Sequence, residues 1–322
     1  MKRKANDISE DSMHSISLLE MAATYSILAM DREAGEMGGA VQSHFFSVGP
    51  AVLWAEAGTG VVATQSLVNR QYGPDGLSQL RQRRHADQVL QSLLECDAGS
   101  AYRQAAVIDA MGNTAAHTGD SCIREAGHSR GECYSVQANM MLNNTVWQAM
   151  EDAFLSTPGS LADRLLGSLK AAEAEGGDIR GKQSAAMVVV KCRASGNISE
   201  DQVLDLRVED HSDPLTELTR LLTLYRGYEM LERGDSAMEH GDADAAKVWF
   251  TKAREHLGGN PEALYWHGIS LLQSDDADEG MELLSPLFSS SPNWLELTLR
   301  LPESGLAVFS PGVLTQLKKM HT

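Results

Sequence analysis

The sequence predicts an α+β protein, with antiparallel sheets and helices packed in layers, followed by a small all-α helical-repeat domain. Three observations predict it. Strand-like segments cluster, give way to helical ones and then return, which is not the one-for-one alternation of a doubly wound sheet. The run Thr24–Phe46 reads as two antiparallel strands around a polar turn. From Tyr225 onward the pattern is almost purely helical. The expected organisation is a flexible leader over 1–22, a layered domain over 23–224 and a helical module over 225–322.

Thr24-Tyr25-Ser26-Ile27-Leu28-Ala29 is β-branched, aromatic and apolar. Asp31–Gly35 is polar and ends in Gly, and Ala40–His44 returns as the second strand. Val52–Thr64 reads as an apolar stretch, a Gly turn and a buried strand. Tyr72–Gly76 reads as a turn, followed by short helices over Leu77–Arg84 and Ala86–Leu94. Arg103–Asp109 and Thr114–Thr118 flank Met111-Gly112-Asn113, a hairpin signal. Tyr134–Met140 is a further strand. Thr145–Leu155 and Leu161–Glu175 are helices, the second stopped by Gly176-Gly177. Ser184–Val190 reads as a buried strand, and Leu204–Asp210 alternates with period two as a half-exposed one. Pro214 suits a first helical turn, and Leu215–Leu224 continues it.

In the module, Gly234, Gly241-Asp242, Ala245-Ala246, Phe250 and Pro261 are echoed by Gly268, Asp276-Ala277, Gly280, Leu283-Leu284 and Pro292. Small residues at helix crossings, an acidic turn and a closing Pro resemble tetratricopeptide repeats, with a unit of about 34 residues. Two such units fall short of the usual minimum, so the module is expected to dock on the first domain or in a homodimer. The tail from Trp294 shows no single pattern.

The net charge of −17 over 322 residues argues against nucleic acid and anionic membranes as partners. No apolar run is long enough to span a bilayer. Met1-Lys2-Arg3-Lys4 is basic, but Ala5–Asp11 is polar and acidic, unlike a secretory signal. Cys96, Cys122, Cys133 and Cys192 are too few and scattered for a disulfide scaffold. A cytoplasmic location is the expectation.

The stretch from Thr24 to about Leu222 resembles the bacterial and archaeal family catalogued as domain of unknown function 1028. The resemblance rests on T-Y-S-I-L-A-M-D (24–31), G-x-V-A-T-Q (60–65), N-R-Q-Y-G-P-D-G-L (69–77), R-Q (103–104), H-T-G (117–119), A-G-H (126–128), Y-S-V-Q-A-N-M (134–140), G-G-D-I-R-G-K-Q-S-A-A (176–186) and D-L-R-V-E-D-H (205–211). It implies the N-terminal nucleophile hydrolase fold, a four-layer αββα sandwich. It also implies a C-terminal module that has been labelled both peptidoglycan-binding and tetratricopeptide-like. The chain departs from the family pattern at His44, where Arg is frequent, at Cys133, where Gly is usual, and at Ala138-Asn139, where Gly-Asn is usual.

In that superfamily a Thr, Ser or Cys at the chain's first position attacks an amide carbonyl, with its own α-amine as base. The amine's pKa of about 7.7–8.0 leaves a useful fraction neutral near physiological pH. Thr24 lies where the family's first strand begins, and it becomes terminal only if the leader is cut between Ala23 and Thr24. The other reading of Thr24 is an ordinary β-branched strand residue. Ser26 shares its face by period two. Ser43 and His44 end the second strand, and Gln65 and Asn69 could supply hydrogen bonds to an oxyanion. The Lys that serves the proteasome is not found, which weighs against a peptidase. Arg180 in the Gly-rich loop could clamp a carboxylate, with Asp178, His117 and Asn139 completing the candidate substrate-binding set. His117, Cys122, His128 and Cys133 are zinc-ligand types, but their spacing is longer than in short knuckle pairs, so no metal and no cofactor is expected. Two functions compete: an amide hydrolase acting on a small or peptide-like substrate, and a non-catalytic binding or scaffold protein. A cell-wall-associated binder is a weaker third.

Overall fold

The computed structural model describes residues 21–22 and 24–321. Apart from Met21–Ala22, the leader lies outside the described residues. Two compact units divide inside one long helix, the first ending at Thr219 and the second beginning at Arg220, rather than after Leu224.

The first unit holds two antiparallel sheets. One contains β1 (Met21–Ala22), β4 (Leu53–Glu56), β5 (Gly60–Leu67), β6 (Arg103–Asp109) and β7 (Thr114–Thr118), in the order β1-β5-β6-β7 with β4 also paired to β5. The other contains β2 (Thr24–Asp31), β3 (Glu36–Ser43), β8 (Gly127–Gly131), β9 (Tyr134–Asn139), β10 (Ser184–Lys191) and β11 (Gln202–Val208), in the order β11-β10-β3-β2-β9-β8. Leu28, Met37 and Val41 of the second sheet meet Val61, Ala63, Ala106 and Ile108 of the first in one buried cluster. Short helix α1 (Gly49–Val52) adds Ala51 and Val52 to that cluster.

The far face of the first sheet, through Val62, Ala105 and Val107, packs on α2 (Tyr72–Arg81) and α3 (Ala86–Glu95) by way of Leu77, Leu80, Val89, Leu90 and Leu93. Helices α4 (Val146–Ser156) and α5 (Leu161–Ala174) pack on the second sheet, against β2, β3 and β9. Both faces of β2 are therefore covered, which is why its residues are buried up to Met30 without the alternation of a half-exposed strand.

Two readings change on structural grounds. Tyr72–Gly76 is the first turn of α2 and not a separate turn. Pro74 is tolerated there because its missing N–H falls among those with no intrahelical partner. Gly73 is required by packing, since a Cβ on it would lie 2.1 Å from the Trp54 ring. Strand β8 carries no strand signal in Gly-His-Ser-Arg-Gly, and its conformation comes from pairing with β9.

After α6 (Ile198–Asp201), α7 (Pro214–Glu239) carries the unit boundary. The second unit continues with α8 (Ala243–Leu257), α9 (Pro261–Leu272), α10 (Ala277–Ser290), α11 (Pro292–Arg300) and α12 (Pro311–Met320). The small residues of the sequence repeat mark close helix approaches. A Cβ on Gly234 would sit 2.6 Å from Phe250, and one on Gly268 would sit 2.4 Å from Leu284. Pro261 and Pro292 open α9 and α11 at their first turns. No described helix is long and apolar enough to cross a membrane.

Candidate functional site

Strand register brings the candidate residues together. Thr24, the first residue of β2, lies opposite Ser43 of β3 on one side and Asn139 of β9 on the other. Thr24 Oγ1 is 3.3 Å from Ser43 Oγ. Both side chains are fully buried. Ser26 Oγ donates to Gln65 Oε1 at 2.7 Å, and Gln137 Nε2 donates to Ser26 Oγ at 2.7 Å.

The amides of Gln65 and Asn139 converge on Thr24. Gln65 Nε2 is 3.2 Å and Asn139 Nδ2 3.3 Å from the Thr24 carbonyl oxygen. Both amides also donate to Gln104 Oε1, at 2.6 and 3.0 Å. Gln104 in turn donates through Nε2 to Thr118 Oγ1 at 2.8 Å and to the carbonyls of Ala138 and Gly127 at 2.9 and 3.1 Å. Thr118 Oγ1 is 2.8 Å from His128 Nδ1. Burial, with Arg130 and His117 adding to it, pushes the His128 pKa down. The seam between the sheets is thus a chain of neutral amides and hydroxyls, each oriented by the next. Such a network is rigid when fully paired and costly when broken.

The backbone is strained at this same end. Among the described residues, non-glycine residues with left-handed φ include Ser47 (54°), Ser66 (70°), Glu125 (57°) and Met140 (57°). Ser66 directly follows Gln65, and Met140 directly follows Asn139. Conformations of this kind persist only where surrounding contacts over-determine them, and they concentrate at functional sites.

The remaining candidates separate into neighbouring groups. The Asp178 carboxylate accepts the His44 N–H at 3.0 Å and grips Arg180, whose Nη2 lies 2.9 Å from Asp178 Oδ2. Arg180 therefore closes on its own loop at the rim of the site. Asn69 lies in a separate group, donating to Asp97 at 3.1 Å beside Tyr72 and Arg103, where Asn69, Tyr72 and Asp97 line a cavity of about 340 Å³. Burial works against the charge on Asp97, but hydrogen bonds from Arg103, Asn69 and the Gly99 N–H outweigh it and hold the pKa at about 2. His117 Nε2 is 3.0 Å from the Ser100 carbonyl. Cys133 lies apart with Arg32, whose Nε is 3.1 Å from its sulfur. Its φ of +64° is the left-handed conformation that glycine adopts freely. Among the described residues no cluster of His, Cys, Asp and Glu could hold a metal ion.

Gln104 and Gln137 fall inside the motifs that carry the family resemblance but were not among the candidate site residues, and neither was Glu173. Glu173 accepts from the Tyr25 hydroxyl at 2.7 Å and from Gln42 at 2.8 Å, and burial together with Glu173 drives the Tyr25 pKa well up. The available signal was a lone amide inside an apolar strand, as in Arg103-Gln-Ala-Ala-Val and Tyr134-Ser-Val-Gln.

The model of a family of unknown function, DUF1028, matches residues 24–218. Among solved structures, the chain is similar to protein SPO2555 from Silicibacter pomeroyi, also assigned to DUF1028, with 32% identity and a TM-score of 0.58 over 64% of this chain and 89% of that one. No curated protein matches the chain.

Proposed function

The chain belongs to DUF1028, a family of unknown function, and from that premise we propose an amide hydrolase of the N-terminal nucleophile type, held latent by the residues before Thr24. The observation that carries this reading is the placement of Thr24. Its hydroxyl stands at the head of β2 beside Ser43, and two oriented amides from other strands converge on the carbonyl oxygen of the same residue. We read the layering as the four-layer αββα sandwich of that superfamily, and the second unit as tetratricopeptide-like, serving to dock a partner or a second copy.

After cleavage before Thr24, the freed α-amine takes the proton of Oγ1, and Oγ1 attacks the substrate carbonyl. The C–N bond breaks, the leaving amine carries away the proton, and water hydrolyses the Thr24 ester to free the acid. Gln65 Nε2 and Asn139 Nδ2 are the donors suited to the oxyanion, where one such donor is worth about 10²–10³ in kcat. With the leader attached, Thr24 is fully buried and its nitrogen is tied up in a peptide bond, which accounts for latency.

A second reading, a non-catalytic binding protein, draws on a different observation. The hydroxyls and amides around Thr24 already satisfy one another and are sealed from solvent. Mass measurement and N-terminal sequencing of protein from its native host separate the two. A chain starting at Thr24 that hydrolyses an acyl amide, with the activity lost in Thr24→Ala, supports the hydrolase. A chain that keeps residues 1–23 sinks it.

A further inference from the structure

We infer that the edge of β5 at Ser66–Leu67 is the substrate-binding edge, and that it takes an extended peptide as a β-strand, in the position where Met21–Ala22 now lies. The inference rests on the amide-hydrolase reading and adds to it the class of substrate.

Strand β5 has two edges. One is paired with β6 from Gly60 to Ser66. The other is paired with β4 only from Gly60 to Ala63. Beyond Ala63 the partner on the described chain is β1, with Met21 opposite Leu67 and Ala22 opposite Ser66, antiparallel. Take β1 away and an open strand edge remains, and open edges are templates for pairing with another chain.

Position gives this edge its meaning. Met21–Ala22 stands on the acyl side of the bond whose cleavage frees Thr24. Gln65, the residue before the edge, donates to the Thr24 carbonyl. A peptide lying where β1 lies therefore runs toward Thr24 with its acyl end leading. The chain's own leader is the template for such a substrate, held by main-chain pairing.

The edge is also built to keep its shape. Arg103 donates from Nη1 to the Leu67 carbonyl at 2.7 Å, and Asp97 holds Arg103 through Nε at 2.8 Å. Both partners are largely buried, with side chains 14% and 12% exposed. The left-handed φ of Ser66 turns the strand end, and the Arg103 carbonyl beside it accepts from the Cys122 thiol at 3.4 Å. This assigns a task to the Asn69–Asp97–Arg103 group, which stands apart from the Thr24 seam. The missing proteasome-type Lys bears on the chemistry at Thr24 and not on the form of the substrate.

The test uses the full chain with an enteropeptidase site substituted for residues 19–23, cut so that Thr24 becomes the first residue and freed of the leader by gel filtration. The probes are the peptide Leu-Leu-Glu-Met-Ala-Ala as an aminocoumarin amide, the same peptide N-methylated at Met and Ala, and acetyl aminocoumarin. Binding is read by calorimetry and hydrolysis by fluorescence. The expected result is binding and release of aminocoumarin from the plain peptide, with both weakened at least tenfold by N-methylation. Binding weakened by N-methylation, but without hydrolysis, supports the edge and refutes the Thr24 mechanism. Hydrolysis of acetyl aminocoumarin without binding of the peptide keeps the mechanism and overturns the edge. Equal binding of plain and N-methylated peptides also overturns it.

Discussion

His267 on α9 offers a prediction whose size can be worked through. Its side chain is 1% exposed in the core of the helical unit. Nε2 lies 3.4 Å from Thr251 Oγ1, and Nδ1 is buried with no partner among the described residues. The ring stacks on Phe250 at 6.5 Å between centroids. Burial, with the charge on Arg254 adding to it, lowers the pKa from 6.5 to about 4. The unfolded chain then binds more protons than the folded one between those two values. Stability is therefore full above pH 6.5 and is lost as pH falls toward 4. Linkage puts the loss from this one group at about 2 kcal/mol between pH 7 and pH 5, and at about 3 kcal/mol by pH 4. The assay is urea unfolding of the full chain at pH 7, 6 and 5, followed by tryptophan fluorescence, with His267→Leu in parallel. The variant should lose about 2 kcal/mol less than the parent over that range. Equal pH dependence in the two proteins, or a His267 imidazole resonance, assigned by its loss in His267→Leu, that titrates near 6.5 in the folded chain, would falsify the argument.

Three further outcomes follow from buried polar groups. Thr64 Oγ1 is buried without a partner among the described residues, so Thr64→Val should raise stability by about 1 kcal/mol in chemical unfolding, and a clear loss would mean that the hydroxyl has a partner. Gln104→Leu strips a hydrogen-bond partner from Gln65, Asn139 and Thr118 together, and should cost on the order of 3 kcal/mol, read as an earlier urea midpoint; a midpoint within error of the parent contradicts the hub role. The Asp97 pKa of about 2 lies below its ordinary 3.8, so its contribution of about 2 kcal/mol is present above pH 3.8 and lost as pH falls through 2. Asp97→Asn should flatten the acid-unfolding curve there, and an unchanged curve counts against the Arg103 bridge.

Much of the fold was legible because its strands carry strong local signals. The hairpin from Thr24 was read from a β-branched run, a polar turn and a second apolar run, and it forms with Thr24 opposite Ser43. The hairpin Arg103–Thr118 was read from Gly112-Asn113 between two strand-like runs. Strand β8 was not legible, because Gly127-His-Ser-Arg-Gly has no apolar face of its own. The helical start at Tyr72 was hidden for a related reason, since Gly-Pro-Asp-Gly is turn chemistry until Trp54 packs against Gly73.

By itself the sequence determined the succession of strands and helices, the acidic character of the chain, and the hydroxyl at the head of the first long strand. Hydrophobic period and turn residues act over a few neighbours, and such information survives in one dimension. Only the tertiary structure decided which polar residues share a site. Gln65, Gln104 and Asn139 lie on three strands of two sheets, and register sets their amides within hydrogen-bond reach of one another, with Gln137 of the third strand reaching Ser26 beside them. The same folding sent Asn69 to Asp97 and His44 to Asp178, and laid Met21–Ala22 along β5. Those contacts join residues far apart in the chain, where no local pattern can specify them.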